Sequence, residues 1–66
     1  MTITLNGEKR EIAEVTTIGE LLRNIGLGEK PVVVEHNQRA LFPREIQGAP
    51  VSDGDVIEIV QVTAGG

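Results

Sequence analysis

A chain of 66 residues with a formal net charge of −4, from ten acidic and six basic side chains, holds one small core and has little room for a buried active site. The lack of cysteine excludes a disulfide framework, a thiolate metal site and a side-chain thiol nucleophile, so any sulfur this protein handles sits elsewhere. The acidic balance and the missing basic stripe argue against nucleic acid, and the start MTITLNGEKR shows neither leader nor membrane span, which makes a cytoplasmic protein the expectation.

The segment TITL alternates, with Ile3 and Leu5 on one face, and Asn6-Gly7 is a tight-hairpin signal. A second strand is expected through KREIAEV, with Ile12 as its clearest apolar residue. In TTIGELLRNIG, Thr17 and Glu20 fit a capping box, and Ile18, Leu21, Leu22 and Ile25 recur at helical spacing. Gly26 stands where a left-handed C-terminal cap is wanted, and Gly28 with Pro31 prevents continuation, so the helix is short with one apolar face. The β-branched run of PVVVEHN predicts a third strand, Asn37 and Gln38 a turn, and RALF a short fourth strand ending at Pro43. REIQGAP reads as compact and irregular, with room for one helical turn, and SDGD as a tight turn into the last strand, Val56 to Val62.

This order, ββαββ with a minor element before the final strand, predicts an α+β domain: a mixed sheet with one helix packed on one face. The last strand is the most hydrophobic and is expected at the centre. Its period of two assigns Ile57 and Ile59 to the helix side and Val56, Glu58, Val60 and Val62 to the other. One helix cannot cover both faces, which makes Val60 and Val62 candidates for docking a partner. The alternative is that LFPREIQGAP folds over them. Phe42, the one aromatic residue, is assigned to the core and also counted with the candidate docking surface. His36 has no Ser, Cys or Asp at a suggestive spacing and reads as a strand or surface residue. Asp53 and Asp55 read as turn residues, not calcium ligands, and no metal site is expected. Arg44 and Glu45 either order their loop or touch a partner; the sequence favours neither.

The hairpin start, ALFPREIQ, SDGDVIEIV and the closing AGG together resemble the ThiS family, sulfur carriers of thiamine biosynthesis, over nearly the whole chain. Pro43-Arg44-Glu45, Asp53-Gly54-Asp55 and Gly65-Gly66 carry most of the specificity. The chain departs from many relatives at Asn37-Gln38, where they have Asn-Gly. The resemblance implies a β-grasp, ubiquitin-like domain over 1–62 and a flexible diglycine tail over 63–66. It further implies that the terminal carboxylate of Gly66 is adenylated by an E1-like, ThiF-like partner using ATP and converted to a thiocarboxylate with a sulfur-donating enzyme. That sulfur then passes to the thiazole precursor at a ThiG-like thiazole synthase. Chemically, a carboxylate is a poor electrophile and needs activation as a mixed anhydride, and the activating machinery would belong to the partner. The chain itself would be no enzyme, would need no cofactor, and would be a monomer when free.

Gly65 and Gly66 suit such a role because a β-carbon would widen the segment that a partner must surround. With Thr63 and Ala64 they would form a slender probe for a partner's channel, reaching roughly 13 Å when extended. Two rival readings use the same activated end: the small subunit of molybdopterin synthase, whose members are usually longer and richer in aromatics, and a ubiquitin-like protein modifier. A plain binding module would not need the glycines at all.

Overall fold

Strand β1 (Thr2–Leu5) and strand β2 (Glu8–Glu11) form the opening hairpin, and their turn takes φ of 51° at Asn6 and 83° at Gly7. Two left-handed residues in sequence give the turn whose twist matches the flanking strands. The computed structural model describes residues 1–62; the expected tail, 63–66, lies outside them. β2 is shorter than KREIAEV predicts. The Ile12 N–H donates to Met1 O at 2.8 Å, just past the last ladder pair, Thr2 with Glu11, and among the described residues the pairing goes no further. The chain therefore leaves the sheet, Ile12 is only half-buried, and Val15 becomes the buried residue of this segment.

Helix α1 (Ile18–Asn24) starts at the expected capping box: the Glu20 N–H donates to Thr17 Oγ1 at 3.2 Å, and the Thr17 N–H donates to Glu20 Oε1 at 3.3 Å. The same carboxylate accepts the hydroxyl and N–H of Thr16, and these bonds hold Glu20 below the usual glutamate range, the hydroxyl bond contributing most. At the other end Gly26 has φ of 85°, while the Leu27 N–H reaches Leu22 O at 2.7 Å and the Gly26 N–H reaches Arg23 O at 3.2 Å. This paired closure satisfies the last carbonyls. Ile18, Leu21 and Leu22 are buried, and Ile25 is the half-buried C-terminal cap.

Strands β3 (Val32–His36), β4 (Arg39–Ala40) and β5 (Val56–Gln61), with the single-turn helix α2 (Pro43–Ile46), complete the order. The sheet runs β2-β1-β5-β3-β4, with β5 parallel to β1 and antiparallel to β3. The most apolar strand is thus central, as expected. Ile57 and Ile59 point under α1 and join Ile3, Leu5, Ile18, Leu21, Leu22 and Val34 in the core.

β4 is shorter than RALF. The Leu41 N–H still bonds Val34 O at 3.0 Å, but Leu41 then turns into the core and Phe42 becomes the N-cap of α2, with Pro43 in its first turn. Phe42 is 59% exposed, which overturns its assignment to the core; Leu41 takes the inward position. The connection through α2 folds beside the start of α1, not over the outer sheet face: Ile18 N–H bonds Ala49 O at 2.8 Å, Val51 N–H bonds Thr16 O at 3.0 Å, and Ile46 is buried.

Candidate functional site: the end of the central strand and the outer sheet face

The candidate site begins where β5 leaves the sheet. The last tie among the described residues is the Val62 N–H, which donates to Pro31 O at 2.9 Å. Thr63, Ala64, Gly65 and Gly66, the residues expected to carry the chemistry and thread a channel, lie outside the described residues.

On the sheet face away from α1, Val60 is 63% exposed and stands opposite Val33, itself 53% exposed. Next along the strands come two opposed carboxylates, Glu58 and Glu35, and then Val56. The alternation that buries Ile57 and Ile59 places all of these outward. No described segment covers Val60, so the alternative in which the α2 connection folds over it is excluded. Val33 went unnamed as a docking residue in the sequence reading, although the same period of two in PVVVEHN, with Val34 buried, marks it.

Val62 behaves differently from Val60. It follows the last residue of β5 and lines a groove of about 340 Å³ with Leu22, Pro31, Val32, Pro43 and Ile46. Those neighbours belong to the helix layer and the strand it covers, and neither Val60 nor Phe42 lines this groove. Phe42 is exposed beyond the edge strand, with the Arg44 guanidinium 4.9 Å from its ring centroid. The three candidate docking residues therefore do not form one patch around the groove.

Of Arg44 and Glu45, which the sequence leaves undecided, Glu45 orders its loop, and Asp53 and Asp55 are the turn residues expected. Glu45 accepts the Phe42 N–H at 2.9 Å and Arg39 Nη2 at 3.0 Å; these bonds, the backbone one foremost, hold its carboxyl below the usual range. Asp53 accepts the Thr2 N–H at 2.6 Å. His36 Nε2 lies 2.7 Å from Asp55 Oδ2, which also accepts the Ser52 N–H at 2.8 Å. Burial alone would raise Asp55, and it is the largest influence, but the bonds from His36, Ser52 and Asn37 together leave it below the usual aspartate range. The histidine thus fastens the turn before β5 to the end of β3. Among the described residues there is no cluster of three metal-ligating side chains and no helix long and apolar enough to cross a membrane.

A mixed five-stranded sheet with a parallel pair at its centre, one principal helix on one face and an open second face defines a ubiquitin-like β-grasp domain. Its relatives narrow this further. The family model of the ThiS family matches residues 3–66. The sulfur carrier protein ThiS of Thermus thermophilus is 39% identical over 64 residues, covering 97% of this chain and 98% of that protein. A thiazole synthase of Paramagnetospirillum magneticum is 33% identical over 66 residues; the match takes in 100% of this chain but only 20% of that protein. The crystal structure of the thiamine biosynthesis protein ThiS from Geobacter metallireducens superposes with a TM-score of 0.82 at 28% identity, covering 100% of both chains. The solution structure of the Geobacter protein gives 0.81 at 28% identity, covering 100% of this chain and 88% of that one. The chain belongs to the ThiS family, the sulfur carriers of thiamine biosynthesis.

Proposed function

We propose that this chain carries sulfur on the carboxyl group of Gly66, as a thiocarboxylate destined for the thiazole ring of thiamine. The observation that carries the reading is the family match, which continues through residue 66. The fold adds a physical reason: residues 63–66 follow the central strand of the sheet, whose body is paired on both sides and whose end at Val62 is tied to Pro31. In the first step the Gly66 carboxylate attacks the α-phosphorus of ATP, pyrophosphate leaves, and an acyl adenylate forms. In the second, hydrosulfide released by a donating enzyme attacks that acyl carbon, the bond from the acyl carbon to AMP breaks, AMP leaves, and loss of the sulfur-bound proton gives the thiocarboxylate. Adenylation supplies the leaving group that a carboxylate lacks.

The residues for this chemistry belong to the ThiF-like adenylating partner, and the chain is substrate and carrier, not catalyst. Thr63, Ala64 and Gly65 form the segment that passes into the partner's channel, with residues 1–62 as the domain that stays outside. Val60, joined by Val33, is the docking face, Val62 contributes at the root of the segment, and Phe42 forms a separate exposed point. The acceptor is a ThiG-like thiazole synthase. The relative of that name includes a stretch similar to this entire chain, which supports a carrier and a synthase working together. The free protein is a cytoplasmic monomer.

Incubation with the adenylating enzyme, ATP and a sulfur source is expected to raise the intact mass by an oxygen-to-sulfur exchange localised to Gly66. Deletion of Gly66 leaves the circular dichroism spectrum and melting unchanged and abolishes the exchange, while Val60→Lys weakens loading without altering the fold. An unchanged mass beside a demonstrably active partner, or loading of the chain that lacks Gly66, would contradict this assignment.

A further inference from the structure

The backbone of β5 is paired on both sides for most of its length, with a strict parity. Even-numbered residues face β3: the Asn37 N–H donates to Val56 O at 2.7 Å and the Val62 N–H to Pro31 O at 2.9 Å. Odd-numbered residues face β1: the Thr4 N–H donates to Asp55 O and the Asn6 N–H to Ile57 O, both at 2.9 Å. β1 ends at Leu5, one pair too early to reach Ile59. There the Asn6 side chain stands in for the missing strand. Its Oδ1 accepts the Ile59 N–H at 2.8 Å, and its Nδ2 donates to Ile59 O at 3.2 Å.

The next odd residue is Gln61. Parity turns its N–H and C=O away from β3, toward the side where β1 has ended, and no hydrogen bond among the described residues satisfies them. The sheet protects its other edges: β2 presents four exposed charged residues, Glu8, Lys9, Arg10 and Glu11, and β4 is two residues long. An open stretch thus lies on the central strand, beside the last described residue.

We infer that Gln61 is a strand-addition point, where an extended backbone segment of the adenylating partner pairs with the free N–H and C=O on the β1 side of β5. Asn6 marks where that pairing begins, because it occupies the preceding position. The inference rests on Gly66 being the loaded residue. Main-chain pairing fixes direction and register without reading side chains, so it sets how far the Gly66 carboxyl stands from the globule. Adenylation needs the carboxylate held at near-attack distance from a phosphorus atom, and a root fixed in register removes most of the freedom that would spoil that placement.

Gln61→Pro tests this. Proline removes an N–H that the fold does not use and accepts the extended backbone of a strand edge. Melting should stay within a few degrees of the unaltered protein, while the KM for adenylation, read by ATP–pyrophosphate exchange with the adenylating enzyme, rises by about tenfold or more. Gln61→Ala keeps both main-chain groups and should stay within about twofold. In the unaltered protein the Gln61 amide should exchange rapidly with solvent deuterium and slow by at least about tenfold under saturating adenylating enzyme, a readout that stands even if the proline variant misfolds. Adenylation of Gln61→Pro at the ordinary KM, equal damage from Gln61→Ala, or an amide that stays unprotected in the complex overturns strand addition and leaves the role of Gly66 intact. Failure of the unaltered chain to be adenylated removes both.

Discussion

Gly19 sits in the first turn of α1 where Gln47 crosses the helix, and a β-carbon there would lie 2.5 Å from Gln47 Oε1, 2.8 Å from its carbonyl oxygen and 3.1 Å from its Cα. The side-chain amide can swing aside, whereas the backbone cannot move without disturbing the two bonds that bind this connection to the helix start, Ile18 N–H to Ala49 O and Val51 N–H to Thr16 O. Helix propensity favours alanine over glycine by about 1 kcal/mol. Overpacking against a fixed backbone costs about 1–3 kcal/mol, and loosening the two bonds adds about 1 kcal/mol each. Gly19→Ala should therefore be destabilising by about 2–4 kcal/mol, which lowers Tm by about 10–25 °C in a domain of this size. Thermal unfolding followed by circular dichroism reads this directly. Gly48→Ala, where an added β-carbon meets nothing within 4 Å, is the control and should change Tm little. A Gly19→Ala protein that melts at or above the unaltered temperature would show that propensity decides and that the contact with Gln47 is soft.

Two further outcomes follow from named contacts. The Asp55 carboxyl is held below its usual range in the folded protein, so its stabilisation is present above the unfolded value near 4 and is lost as pH falls through the lower folded value. Asp55→Asn should cost about 2 kcal/mol at neutral pH, a gap that closes on acidification below about pH 4; urea midpoints showing a gap independent of pH would disprove the linkage. At Gln38 the backbone has φ of 70°, a left-handed conformation that strains a residue with a β-carbon. Gln38→Gly should raise stability by about 0.5–1 kcal/mol once the greater freedom of glycine in the unfolded chain is set against the relieved strain, and a lowered denaturant midpoint would count against it.

The sheet, the helix and the central place of β5 were legible because each depends on local pattern: alternation in TITL and VIEIVQ, the Thr17 and Glu20 cap, and the left-handed Gly26. What escaped depends on partners far along the chain. Asn6 reads as a hairpin residue, and it is one, yet its side chain also finishes the pairing of Ile59, 53 positions away. His36 shows no partner at a suggestive spacing because that partner, Asp55, is brought to it by the β3–β5 register. The length of β2 was overestimated for a related reason. Its sequence would extend through Val15, but the ladder ends at Thr2 and Glu11, and past the Ile12 bond to Met1 the segment turns inward to bury Val15. Phe42 was misassigned because hydrophobicity alone cannot say which of two adjacent apolar residues turns inward at the exit from an edge strand.

Placing the root of residues 63–66 on the central strand has a mechanical consequence that an edge strand would not give. An edge strand such as β4, two residues long and paired on one side, opens locally at small free-energy cost. β5 is bonded to β1 and β3 and contributes Ile57 and Ile59 to the core, so withdrawing it means exposing those side chains and breaking both ladders, which approaches global unfolding. Under the proposed function, a partner that holds Gly66 pulls on the part of the fold least able to yield. The same placement leaves Gln61 with an N–H and a C=O that no hydrogen bond among the described residues uses. A rigid root and an open edge thus occur in the same residue pair, Gln61 and Val62, and a single backbone change at Gln61 separates them.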